Sequence, residues 1–362
     1  MKLYLSILLL ICSVAKGQET DTTVIYFTAS AQAQQNILQF RFKHNTKNLK
    51  RTTIQFGGMF QHTTAPEKVT NAQTLGVNIV RTNVNFYAWN GTNSPESDTL
   101  TSHGITNFLN VNEIPADGSG YATIDTAAYA AHLTTLAAHS DPSKVAWVPF
   151  NEMGNLAYWG ITATSDLVPY IQCAKIAVRI GHQHGFKVYD GGLMANECVY
   201  WTYRQMSNAH DADTVNFLKY CVPLAYQFGV MHRTNAAVNL QVDITDYLLT
   251  QFVGVGFDGN NVHLYLPFVK SFVDTATNYS TSYTGLDKIF YYLRQHTTLP
   301  IICNEFGLLD PAYTAPTLAD LRKNKVAVVI YYNDNEQTPI YTILDDANAL
   351  TSFGSYYKTQ IQ

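Results

Sequence analysis

The feature that most restricts the fold is an alternation carried along the chain. Short runs rich in Val and Ile are separated by longer stretches with apolar residues at helical spacing. The short runs occupy 52–60 (TTIQFGGMF), 77–86, 106–115, 144–153, 186–194, 260–268, 299–308 and 326–334. They lack strict apolar–polar alternation, as expected for parallel strands covered on both faces. The intervening stretches 65–76, 123–140, 166–185, 285–297 and 318–325 read as helices. In 166–185, Leu167, Ile171, Ala174 and Val178 share one helical face, and Gly185 stands where a helix ends. Alternating strands and helices define the α/β class, and eight such units fit one (β/α)8 TIM barrel. A doubly wound open sheet needs a G-x-G-x-x-G turn after its first strand, and FGGMF does not supply one.

Residues 1–17 read as a secretory signal peptide. Lys2 opens it, Leu5 to Ile11 is too short to span a bilayer, and Ala15-Lys16-Gly17 offers small residues for cleavage near Gly17. A secreted or periplasmic protein follows. Residues 18–51 are expected to form an N-terminal cap segment, 52–362 the catalytic barrel, and 335–362 a closing segment. No later stretch approaches the roughly 18 apolar residues of a membrane span. The net charge of −4 is small and Lys and Arg are scattered, so neither nucleic acid nor membrane is an expected partner. A monomer is expected. Charged residues make up 14% and aromatic residues 13%, a balance that suits neutral ligands such as sugars. Cys173 and Cys303 read as core residues, and pairing of Cys198 with Cys221 stays open. CxxC and zinc-type His/Cys spacings are absent from the sequence.

Asn-Glu occurs four times: Asn112-Glu113, Asn151-Glu152, Asn196-Glu197 and Asn304-Glu305. Active residues of a (β/α)8 barrel gather at the C-terminal ends of its strands. Glu113, Glu152 and Glu305 stand at such ends, and Glu197 follows one. A single Glu there is commonly just the first residue of a solvated loop. Four at the same end of one barrel weigh against that reading. On the second strand Arg81, Asn83 and Asn85 share a face, and on the sixth His263 and Tyr265 do. Inward polar groups are costly unless they pair. Two carboxylates across a barrel mouth are what glycosidic cleavage requires, one protonating the leaving oxygen and one attacking the anomeric carbon.

Asn151-Glu152 ending strand four, Glu305 ending strand seven and HLY on strand six resemble the clan A glycoside hydrolases, retaining (β/α)8 enzymes. The resemblance covers most of the mature chain as strand order, and a few motif positions carry it specifically. It implies Glu152 as acid/base, Glu305 as nucleophile, Asn151 as a ligand of the sugar 2-hydroxyl, and Tyr265 and Arg81 as partners of the nucleophile. His263 would line the cleft, and Glu113 would contact substrate or support the site. The clan usually carries Trp near the end of strand eight. Here the stretch is VVIYYND, so Tyr331 or Tyr332 would have to replace it. Trp89, Trp159 and Trp201 follow strands two, four and five and are candidate sugar platforms, whereas Trp147 reads as core. The substrate class is an oligo- or polysaccharide with β linkages, and this chemistry calls for no metal or other cofactor. Two rivals remain: a non-catalytic carbohydrate-binding barrel, and a metal-dependent barrel enzyme such as a sugar isomerase. Long segments at 86–105 and 195–259 would favour a pocket and exo action without deciding it. No G-x-S-x-G elbow points to a serine hydrolase.

Overall fold

The computed structural model describes residues 54–362 except 90, 115–119, 267–279 and 335–340. The expected signal peptide at 1–17 and cap at 18–51 lie outside the described residues. The strands are β1 (Gln55–Phe60), β2 (Ile79–Asn85), β3 (Thr106–Asn112), β4 (Val145–Pro149), β5 (Lys187–Val188), β6 (Asn260–Leu266), β7 (Ile301–Leu308) and β8 (Val328–Asn333). All eight expected strands are present. They form one sheet in the order β5-β4-β3-β2-β1-β8-β7-β6, and every pairing is parallel. Its two ends meet. Tyr189 bridges Gly259 and Leu193 bridges Val262, with Asp258 N donating to the Val188 carbonyl at 2.8 Å. The sheet therefore closes into a (β/α)8 barrel.

The helices are α1 (Ala65–Leu75), α2 (Pro95–Ser102), α3 (Thr126–Ala138), α4 (Leu156–Trp159), α5 (Val168–Gln183), α6 (Ala195–Asn208), α7 (Thr214–Cys221), α8 (Leu224–His232), α9 (Ala236–Val255), α10 (Leu286–His296), α11 (Thr314–Lys323) and α12 (Ser352–Ile361). Local chemistry sets their ends. Asp125 accepts from the Ala127 and Ala128 amides to start α3. After α5, Gly185 takes φ +85°, the left-handed state that favours glycine. The long segment 195–259 is largely helical and packs α6 and α9 against one another beside α5 and α10. Strand five is shorter than its run. The chain leaves the ladder at Asp190-Gly191-Gly192, where Gly192 has φ +92° and a Cβ would lie 2.2 Å from the His263 Nε2. Only glycine fits that approach.

Side-chain alternation divides the barrel. Outward residues such as Leu109, Val111, Trp147, Val329 and Tyr331 pack under the helices. Inward residues Ile79, Phe108, Ala146, Val148, Ile302 and Ile330 fill the lumen as a separate apolar plug. No helix among the described residues is long and apolar enough to cross a membrane. Cys198 and Cys221 are both free and buried, as are Cys173 and Cys303.

Candidate active site

Above the plug the lumen turns polar. Arg81 lies two residues beyond Ile79 on β2, faces inward, and is 1% exposed. Burying a guanidinium is costly unless its donors find acceptors. Its Nε donates to Asn110 Oδ1 on β3 at 3.1 Å. Its Nη1 donates to Glu305 Oε2 at 2.5 Å and to the Asn304 carbonyl at 3.2 Å, and its Nη2 to Asn151 Oδ1. One side chain thus ties β2 to β3, to β7 and to the turn after β4. With Asn151 Oδ1 so engaged, its amide Nδ2 is left to donate elsewhere.

Asn304 and Glu305 both take part in this interior network, although neighbours on a strand normally point to opposite faces. A bulge allows it. Asn261 on β6 pairs with Ile302, but His263 pairs with Glu305, so β7 spends three residues where β6 spends two. Glu305 then accepts from Arg81 on Oε2 and from the Tyr265 hydroxyl on Oε1. Burial pushes its carboxyl up, but its neighbours His263 and Arg81 and the Tyr265 hydrogen bond outweigh this and hold it below the usual carboxylate range.

Glu152 is set by backbone strain. Beyond β4 the chain passes through two left-handed residues, Phe150 at φ +63° and Glu152 at φ +48°. Each costs of order 1–3 kcal/mol and persists only where the surroundings hold it. They do. Glu152 N donates to the Gly191 carbonyl at 3.0 Å. The Trp159 indole donates to the carbonyls of Asn151 and Glu152, and the Tyr121 hydroxyl to that of Met153. This winding sends Asn151 to Arg81 and Glu152 to His263. Asn155 Nδ2 donates to the other Glu152 oxygen at 2.9 Å.

His263 stands between the two glutamates, fully buried. Its proton placement follows from the hydrogen-bond network. The Asn304 amide N donates to Asn261 Oδ1, so Asn261 presents Nδ2 to Asn304 Oδ1 at 2.7 Å. Asn304 Oδ1 is therefore an acceptor, and His263 Nε2 must carry hydrogen to donate to it at 2.8 Å. His263 Nδ1 then faces Glu152 Oε1 at 3.2 Å and Glu305 Oε2 at 3.7 Å. Ligand atoms of Glu152, His263 and Glu305 all lie within 4.8 Å of one another.

Asp190 anchors this network from below. Fully buried two residues beyond β5, it accepts from Gly192 N, Asn261 N and Asn260 Nδ2. Burial pushes its carboxyl up to about 6 despite those bonds. The sequence alone assigns no role to Asn110, Asp190, Asn261 or Asn304. Asn110 and Asn261 carry a signal there, an Asn inside otherwise apolar strand runs.

Other expected site residues separate. Trp89 lines a polar cavity of about 310 Å³ at the β2 end with Asn83, Asn85, Asn93, Ser94 and Glu96. Trp159 is buried and stacks on Tyr121 at 4.2 Å, so it supports the Glu152 turn from beneath and offers no open face. Trp201 is buried in α6, where its indole donates to Asp246 of α9 and its ring meets His296 edge-on. That position is within the helical layer, because the segment after β5 is helix rather than loop. Glu113 points, with Val111, away from the lumen and pairs with His132 of α3 at 3.1 Å. Glu197 is fully buried, accepts from Met194 N at the start of α6, and is pushed up to about 8 by burial. Of the two candidates for the missing Trp, Tyr331 is buried against Tyr357, and Tyr332 faces inward with its ring edge-on to Tyr265.

No family model and no curated protein matches the sequence. Solved structures do. An endo-β-1,4-glucanase from Xanthomonas axonopodis pv. citri aligns at TM-score 0.52 and 10% identity, over 85% of this chain and 98% of that one. A GH128 (subgroup II) endo-β-1,3-glucanase from Sorangium cellulosum aligns at 0.50 and 12%, over 84% and 98%. A family 39 glycoside hydrolase from Bacteroides cellulosilyticus WH2 aligns at 0.50 and 14%, over 85% and 63%. The chain shares the barrel fold of these glycoside hydrolases. At such identities the likeness establishes the fold and no more.

Proposed function

We propose that this protein is a retaining glycoside hydrolase acting on a β-linked glycan. The observation that carries the reading is the convergence of Glu152 and Glu305 on His263 with their ligand atoms inside 4.8 Å. Retaining enzymes hold their two carboxyl groups about 5–5.5 Å apart, whereas inverting ones need roughly 6.5–9.5 Å to admit water. Glu305 is the nucleophile. Arg81 and Tyr265 stabilise its ionised form and aim it, so it is ready to bond the anomeric carbon. Glu152, facing His263 Nδ1 at 3.2 Å, protonates the departing oxygen, then takes a proton from the water that releases the sugar. Asn151, oriented by Arg81, donates Nδ2 to a sugar hydroxyl, and the Trp89 cavity receives a neighbouring unit. The apolar N-terminal run supports export to where such glycans lie.

The test is labelling with 2-deoxy-2-fluoro glycosides of the gluco, manno, galacto and xylo series, read by intact mass and peptide mapping. A stable adduct on the Glu305 peptide is expected and would name the sugar. Glu152→Gln should lower turnover of a natural glycoside on the order of 10²–10⁴-fold, and far less for an aryl glycoside whose leaving group needs no proton. No adduct together with no hydrolysis of β-glycans would favour a barrel that binds carbohydrate without cleaving it.

A further inference from the structure

The three atoms that meet in the mouth also have the disposition of a metal site. We propose that Glu152, His263 and Glu305 bind a divalent transition-metal cation of the Zn²⁺ type, with three protein ligands and a fourth position open to the cleft. Zn²⁺ takes imidazole nitrogen and carboxylate oxygen at about 2.0–2.2 Å in a tetrahedron, which sets neighbouring ligand atoms roughly 3.4 Å apart. His263 Nδ1 lies 3.2 Å from Glu152 Oε1 and 3.7 Å from Glu305 Oε2.

The surroundings match as well. A ligating His is normally held by a bond from its other ring N–H, and His263 Nε2 donates to Asn304 Oδ1 at 2.8 Å. That bond leaves the Nδ1 lone pair of the neutral ring directed at the carboxylates. Each carboxylate is itself oriented, Glu152 by Asn155 and Glu305 by Tyr265. An imidazole ligand and a set of only three favour Zn²⁺ over Mg²⁺ or Ca²⁺, which prefer six or more oxygens. Arg81 moderates the affinity. Its guanidinium lies 2.5 Å from Glu305 Oε2 and offsets one of the two carboxylates, so the cation binds reversibly and more weakly than at a structural site. A bound cation occupies the space between His263 Nδ1, Glu152 and Glu305 and blocks the approach to Glu305. It therefore inhibits the hydrolysis proposed above in competition with substrate, a consequence that rests on that reading.

Full-length protein titrated with ZnCl2 in a calorimeter should bind one equivalent, and Co²⁺ should give the intense visible bands of four-coordinate cobalt. Glu152→Gln and Glu305→Gln, checked for folding by circular dichroism, should each weaken binding at least about tenfold. Undiminished binding in both variants would overturn the site. So would loss of binding on His182→Asn, which would place the cation on the surface pair His182–Asp258. Absence of heat and of cobalt bands at metal concentrations on the order of 1 mM would overturn it too. The two readings fail separately. Zn²⁺ binding, with neither fluoroglycoside labelling nor glycan hydrolysis by the metal-free protein, sinks the glycosidase, whereas labelling of Glu305 that saturating Zn²⁺ does not slow sinks the metal site.

Discussion

At the scale of single residues, the site depends on contacts that leave no slack. Gly192 is one. A methyl group there meets both His263 Nε2 and Asn261 Nδ2, and φ +92° disfavours any side chain. Gly192→Ala should destabilise the fold by at least about 1–3 kcal/mol in denaturant titration and displace His263. An unchanged midpoint would mean that the β5 exit is not tight. Asn304 is another. Asn304→Ala removes the acceptor that fixes the His263 ring. On the glycosidase reading it should lower kcat up to about 100-fold with little change in KM, because the substrate-binding groups stay in place while the His263 ring beside Glu152 and Glu305 is no longer fixed. A pure KM effect would assign Asn304 to binding instead. Neither residue announced itself in the sequence. Asn304 is visible only as the partner of Glu305, and strict alternation admits only one of the two to the barrel interior, because the bulge in β7 is not encoded by any local residue pattern.

At the scale of elements, the turn after β4 explains why a buried Trp can matter to a site it does not touch. Trp159→Phe keeps a ring on Tyr121 but deletes both donations to the carbonyls that carry Asn151 and Glu152. Its expected effects are a stability loss of about 1 kcal/mol and a clear drop in kcat, since the strained turn loses a clamp. Trp201→Phe should cost similar stability through the lost Asp246 bond and leave kcat and KM unchanged. Equal catalytic effects in the two variants would contradict this division. The sequence placed both tryptophans after strands and could not separate them. What separates them is that one lies on α4 beneath the Glu152 turn and the other on α6 in the outer layer.

At the scale of the whole molecule, buried carboxyls tie stability to pH. Glu197 is raised from 4.5 to about 8 and Asp190 from 3.8 to about 6, both chiefly by burial. The folded state keeps protons that the unfolded chain loses, so stability falls as pH climbs from 4.5 to about 8 for Glu197 and from 3.8 to about 6 for Asp190. Glu305 acts oppositely: its contribution is present above the ordinary carboxylate value and is lost as pH falls through its depressed one. Glu197→Gln keeps an acceptor for Met194 N and removes the ionisation. It should be more stable than the parent at pH near 8, by an amount of order a few kcal/mol, and lose that advantage towards the carboxylate range near 4.5. A gap independent of pH in denaturant titrations would show that Glu197 does not titrate on unfolding. The barrel itself was legible from the chain. Eight Val- and Ile-rich runs between helical stretches admit few other closures, and strand periodicity put Arg81, His263 and Tyr265 on inward faces. Helices α6 to α9 were not resolved individually, because a strand-end motif and a single Glu say nothing about how far a connection extends. By itself the sequence determined the strand count, the parallel fold and the two carboxylates at strand ends, since those follow from local period and residue type. Tertiary structure alone decided that Glu152 and Glu305 share one histidine, that Glu113 faces a helix and that Glu197 is sealed inside. Those outcomes depend on a bulge, a left-handed turn and a glycine-permitted approach between strands distant in the chain.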